Sequence, residues 1–214
     1  MDQQKSKKVV IIVAHPDDET LWAGGTILNC PFWECFIVCL CRKNDKDRAP
    51  KFLKALSALG AKGVMGDLND GPEQSPLNEN EIEQAILKLI PDMFFNLIIT
   101  HNPKGEYTRH LRHEEISKAV INMWIKGAIT TDELWTFAYE DGHKSYYPRP
   151  LKIASSYHLL SKNTWNLKYN IITNTYGFEK SSWEAKTTPK EEAFWHFSNP
   201  IDVQQWLAQG GTSL

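Results

Sequence analysis

A run of six apolar residues, Val9-Val10-Ile11-Ile12-Val13-Ala14, stops abruptly at His15-Pro16. A strand with one wet face would alternate, whereas an unbroken branched run is what a strand buried on both faces requires. Such strands belong to parallel sheets covered by helices on both sides, so the rest of the chain must supply those helices. Pro16 suits a first helical position, Asp17, Asp18 and Glu19 suit the positive end of a helix dipole, and Leu21, Ile27 and Leu28 supply an apolar face.

The alternation then repeats. Residues 34–41 read as a strand, 49–59 as a helix closed by Gly60, Val64-Met65 as a short strand, 79–90 as a helix and 96–100 as another buried strand. After a loop at 101–112, Ile116, Ala119, Val120, Met123 and Trp124 share one face of a further helix. This predicts an α/β fold, a Rossmann-like three-layer α/β/α arrangement around a mostly parallel sheet. Beyond Gly127, residues 134–139 and 151–157 read as strands, 165–175 as either helix or strand, and together as a small C-terminal appended layer. Trp195 and Trp206 are expected to anchor the C-terminus. A length of 214 residues fits a single domain over 1–214, with a polar tail at 1–8 and a frayed end at 210–214.

Composition narrows the partners. With 24 basic and 26 acidic residues, a net charge of -2 and no basic block, nucleic acid is not expected. Cys30, Cys35, Cys39 and Cys41 crowd into one apolar stretch, too close for a disulfide framework, and read as reduced core thiols. Cys39-Leu40-Cys41 lacks the two-residue gap usual in structural zinc sites. The apolar run from Val9 to Ala14 is too short for a signal core or a membrane span. The expectation is a cytoplasmic protein without a transmembrane segment, for which a homo-oligomer is possible.

Ligands of open α/β sheets bind beyond the carboxyl ends of the strands. Two such ends here are rich in metal-binding groups: His15-Pro16-Asp17-Asp18-Glu19 after the first strand, and His110-Leu111-Arg112-His113 in the loop and helix start after the strand ending at Thr100. An imidazole and a carboxylate three residues apart, joined by a second imidazole, form a three-ligand set that leaves an open position, as a catalytic metal requires. Taken singly, acidic residues at a helix start are dipole partners and caps, and a bare His-x-x-His carries little weight. Their joint placement after two buried strands is what carries the reading. Glu19 reads as structural, His101 as a histidine bonded to loop backbone, and His143, His158 and His196 as surface or core residues. The loop from Asp67 to Gly71 either faces the cleft, where it could bond a ligand, or is an ordinary turn.

Ala14-His15-Pro16-Asp17-Asp18-Glu19 resembles the signature of the LmbE/PIG-L family of zinc-dependent N-deacetylases. Gly24-Gly25, Arg48, Ala55, Leu59-Gly60, Thr100-His101, Gly105-Glu106-Tyr107 and the pair His110/His113 follow in the family's order, over roughly residues 8–125. The resemblance implies removal of an acetyl group from an N-acetylated sugar or glycoconjugate. It implies His15, Asp18 and His113 as ligands of Zn2+, or of Fe2+ or another divalent metal. It further implies Asp17 as general base, His110 as the histidine at the oxyanion and Arg48 as a substrate contact. Many members carry an acidic residue that pairs with the first histidine of the second motif, where this chain has Arg112. A cation there disfavours an imidazolium at His110 unless Glu106 folds in to support it. Lys51 stands where a glutamate is common. Two other functions compete: a divalent-metal phosphohydrolase using Asp17-Asp18, and a sugar-binding relative without efficient chemistry.

Overall fold

The computed structural model describes residues 6–108 and 110–211. Strand β1 (Lys7–Val13) lies at the middle of a seven-stranded sheet, between β2 (Trp33–Cys41) and β4 (Phe95–Thr100), and is parallel to both. Strand β3 (Lys62–Leu68) continues the sheet beyond β2, and β5 (Thr131–Phe137) continues it beyond β4. The buried run thus occupies the position its composition demands.

Odd and even residues of β1 feed two separate cores. Val9, Ile11 and Val13 pack with Leu21, Trp22 and Ile27 of helix α1 (Asp18–Asn29) and with Phe52, Ala55 and Leu56 of α2 (Arg48–Leu59). Val10 and Ile12 pack with Ile82 and Ile86 of α3 (Glu79–Leu89) and with Ile116, Val120 and Met123 of α4 (Leu111–Ile125). Helices on both faces make the three layers expected. Gly60 closes α2 at φ 67°, with the Ala61 N–H bonded 2.9 Å from Leu56 O, a turn for which glycine carries no Cβ penalty.

The region after Gly127 mostly extends the same sheet. Strand β9 (Glu191–Phe197) pairs antiparallel with β5, and β8 (Ser156–Leu159) pairs antiparallel with β9 at the edge. The small addition is a ribbon of β6 (Tyr139–Glu140) and β7 (Arg149–Pro150). The strand expected over 151–157 is therefore interrupted: Leu151 to Ser155 turn, with the Ala154 N–H on Leu151 O. The segment left open between helix and strand is α5 (Lys162–Asn170), continued by a π-helical turn at Ile171–Thr175. A short α6 (Trp183–Thr187) follows, and α7 (Pro200–Ala208) ends the described chain. Trp195 and Trp206 are buried with ring centroids 6.1 Å apart and fasten α7 to the sheet.

Both ends are more ordered than their composition suggests. Lys7 and Lys8, expected in a polar tail, are in β1 opposite Trp33 and Glu34. Gly210 and Gly211, expected to fray, bond Leu207 O and Trp206 O through their N–H groups. The rest of the expected tail and frayed end, at 1–5 and 212–214, lies outside the described residues. The four cysteines are free thiols, three of them buried, and burial pushes Cys35 up to about 12. Among the described residues, no helix is long and apolar enough to cross a membrane.

The pattern also explains Gly25. A Cβ there would sit 2.4 Å from Leu160 Cδ1 and 3.0 Å from Glu192 Oε1, both belonging to the C-terminal region packed on α1. Gly25→Ala is expected to lower stability by about 1–3 kcal/mol through overpacking, read as a shift of the urea midpoint at unchanged slope.

Candidate functional site

The order β3-β2-β1-β4-β5 reverses direction between β1 and β4, and the crevice beyond their carboxyl ends is where such sheets bind ligands. The segment His15 to Asp17 leaves β1 there, and the loop from His101 to His110 leaves β4. His15 Nδ1 lies 3.2 Å from Asp18 Oδ2 and 3.2 Å from His113 Nε2, and the latter two are 3.3 Å apart. A tetrahedral ion with ligand bonds of about 2.1 Å has edges of about 3.4 Å, so this triangle is the size of one face.

Hydrogen bonds decide which atoms face the centre. Asp18 Oδ1 accepts from the Trp22 indole at 3.1 Å and Oδ2 from the His15 N–H at 2.8 Å. Glu106 Oε2 takes the Nδ1–H of His113 at 2.6 Å, which leaves Nε2 with a lone pair toward the triangle. Lone pairs of an ionised carboxylate and an imidazole converging at this distance repel one another, and a cation between them removes the repulsion. The donor set therefore fits a divalent metal.

A second donor set, Asp18, His101 and His113, also converges. His101 is otherwise engaged: its Nε2 accepts the Ala14 N–H at 2.9 Å and its Nδ1 donates to Glu106 at 2.9 Å. Burial disfavours charge on His101, while Glu106 and Asp18 more than offset this and raise its pKa to about 9. An imidazolium has no lone pair for the Ala14 N–H, however, and a cation beside Asp18 would cancel much of that carboxylate's pull. We read His101 as neutral and structural.

Asp17 caps α1 at φ 116°, a left-handed conformation costly to a residue with a Cβ. Buried Glu19 sustains it, accepting the Asp17 N–H at 3.1 Å, the Thr20 hydroxyl at 2.6 Å and the Tyr176 hydroxyl at 2.7 Å. Glu19 thus ties the loop to α1 and to the π-helical turn. Burial and the adjacent Asp18 charge push the Asp17 carboxyl well above its usual range, against the Arg48 guanidinium 3.4 Å away. Arg48 itself rests 4.5 Å above the Phe178 ring.

His110 packs edge-on to His15 at 4.5 Å and stacks on His113 at 4.3 Å. Burial, then the neighbouring His113 and His15, lower its pKa to about 3, so it is neutral at physiological pH. The cause expected from the sequence is corrected here. The Arg112 guanidinium is buried and turned to Asn69 O, Ser75 O and Glu115, and Glu106 supports His113 and His101 instead of His110. Lys51 forms a surface pair with Asp47.

His15, Asp17, Asp18, Arg48 and His110 line a cleft of about 820 Å³. Its walls include Tyr107, Thr108 and, from the C-terminal region, Asp141, Ser145, Tyr146, Tyr147 and Trp183. The Tyr107 and Trp183 rings meet at 4.8 Å. Sequence reading did not find Trp183 or Tyr176, and nothing local marks them. It did single out the loop holding Asp70 by the strand-end argument, but as a cleft wall or an ordinary turn and not as a neighbour of His15.

The chain belongs to the PIG-L family, described as GlcNAc-PI de-N-acetylase, whose profile matches residues 10–124. The uncharacterized protein L374 of Acanthamoeba polyphaga mimivirus is 25% identical over 154 residues, and the match spans 64% of this chain and 64% of that protein's own length. Among solved structures, N,N'-diacetylchitobiose deacetylase from Pyrococcus horikoshii superposes with a TM-score of 0.69 at 16% identity, over 95% of this chain and 89% of that one. GalB, the 4-carboxy-2-hydroxymuconate hydratase of Pseudomonas putida, superposes with a TM-score of 0.60 at 15% identity, over 89% and 95%. At such identities the likeness establishes the fold, and the two enzymes show that it carries more than one reaction.

Proposed function

We propose that this protein is a metal-dependent hydrolase that removes an acetyl group from the nitrogen of an N-acetylated sugar or sugar conjugate. The observation that carries the reading is the triangle of His15, Asp18 and His113 donor atoms, of which His15 and Asp18 line the cleft, with Asp17 beside it and not part of it. These three residues would hold the ion, and two imidazoles with one carboxylate favour zinc over magnesium. A divalent ion bound there supplies a Lewis acid for the amide carbonyl and makes water more acidic.

The remaining steps belong to the chain's own groups. Asp17, with its carboxyl basicity raised by burial, takes the proton of the attacking water and returns it to the departing nitrogen. His110, neutral and without a partner at Nδ1 among the described residues, can direct a ring N–H toward the oxyanion. Arg48 at the cleft wall steadies Asp17 and contacts the substrate. Aromatic faces next to hydroxyl and amide groups suit a sugar ring, and the cleft lies within the usual range of small-molecule sites, about 300–1,000 Å³. GlcNAc-type substrates are the first to try, given the family.

The test is metal content together with acetate release from a panel of N-acetylated mono- and disaccharides. One divalent ion per chain with acetate released supports the reading. A bound ion with no acetate from any sugar points to another acyl amide, to the sugar-binding alternative or, if water adds to an unsaturated acid, to hydratase chemistry. Absence of bound metal from protein supplied with zinc removes the proposed site.

A further inference from the structure

Asp70 lies two residues beyond the end of β3, and it lines no part of the cleft. Its Oδ1 instead lies 3.2 Å from His15 Nε2, on the side of the ring opposite the metal triangle. That approach is at hydrogen-bond distance but misaligned, and His15 Nε2 is buried with no other partner. The carboxylate is held from behind: Arg42 Nε and Nη2 donate to Oδ2 at 3.0 and 2.7 Å, and Gln74 Nε2 donates to Oδ1 at 3.0 Å. Arg42 adopts φ 66° to do so, a left-handed backbone for a residue with a Cβ.

We propose that Asp70 is a positioning residue for His15, accepting its Nε2–H so that Nδ1 presents a lone pair to the metal. An ion on Nδ1 polarises the opposite N–H and strengthens that bond, and a small rotation of the ring aligns it. Both histidines of the triangle then have a carboxylate behind them, Asp70 for His15 and Glu106 for His113. Arg112 belongs to the same device. Its guanidinium grips Asn69 O and, at 2.7 Å, Ser75 O, the two sides of the loop that holds Asp70 in place.

The inference rests on His15 being a metal ligand, and its test is metal affinity measured independently of turnover. Chelator competition on the full-length protein is expected to show Asp70→Ala binding Zn2+ about 10–100-fold more weakly than wild type, with Asp70→Asn weakened in the same direction. Asp67→Asn, near the end of β3 and bonded to Asn44, is expected to stay within about twofold of wild type. If both Asp70 variants bind within about twofold of wild type, the inference fails while the metal site stands. If wild type takes up no ion, both fail. Should the Asp70 variants not fold, nitrogen-resolved NMR of zinc-loaded wild type decides: a His15 Nε2–H protected from solvent exchange supports the inference, and one exchanging freely overturns it.

Discussion

Asp17→Asn is expected to keep a full complement of metal and to lose acetate release by about 10²–10⁴-fold in kcat, the loss typical of a positioned general base. Asparagine is the substitution that isolates the chemistry. Asp17 sits at φ 116°, and asparagine tolerates left-handed backbone better than other non-glycine residues, so the cap of α1 survives the change. The Glu19 bond to the Asp17 N–H is a backbone contact and survives as well. What disappears is a basic carboxylate 3.4 Å from Arg48, with no donor atom lost from the triangle. Asp18→Asn should behave in the opposite way. It removes a carboxylate that accepts from the His15 N–H and lies 3.3 Å from His113 Nε2, and metal should be lost with activity. The check is metal analysis beside steady-state kinetics on both variants. Retained metal in Asp18→Asn with metal lost from Asp17→Asn would exchange the two roles.

Lys168→Met is expected to cost about 3–5 kcal/mol, because it leaves a buried carboxylate without its counter-charge. Lys168 Nζ and Glu192 Oε1 are 2.7 Å apart, and both side chains are 0% exposed. Glu192 also accepts the N–H of Gly25 at 2.8 Å and the N–H and hydroxyl of Thr26, each at 2.6 Å. Burial lowers the Lys168 pKa and Glu192 works against that, so the pair is stable only as a pair. For a chain of this size the loss corresponds to roughly 6–20 °C in Tm. The double variant Lys168→Met with Glu192→Gln should recover part of it, since the unpaired charge is then gone. A double-mutant cycle by chemical denaturation measures this, and equal losses in the single and double variants would rule out the charge as the cause. The pair clamps the helix that carries Asp18 to the last strand of the sheet. Reduced stability should therefore appear as earlier thermal inactivation before any change in catalysis at 25 °C.

Much of this architecture was legible because it is local. The branched run of β1 can be satisfied only between two layers, and that requirement alone implies helices on both faces. The apolar faces of α2, α3 and α4 repeat at helical spacing, and Gly60 marks a helix end by its backbone freedom. Bringing His15 and Asp18 to the same place as the His110/His113 pair needed only one more rule, that groups just beyond adjacent parallel strands meet at the same edge of the sheet; singling out His113 from that pair came from the family resemblance.

Tertiary structure alone decided the rest. Strand β9 pairs across some sixty residues with β5 and takes β8 on its other side, and neither a short antiparallel run nor a π-helical turn announces its partner in its own composition. Arg112 looked like a cation beside His110, because sequence separation is all that a motif records. In the fold, a residue at the start of a helix can turn its side chain away from its neighbours, and Arg112 bonds a loop some forty residues earlier. Glu106 and Asp70 were visible as acids, but which imidazole each one serves depends on distances of about 3 Å between separate segments. The sequence by itself determined the layers, the edge of the sheet where chemistry belongs and the residue types available there. The tertiary structure decided which proton faces which carboxylate, because hydrogen bonds are set by orientation in space and not by order along the chain.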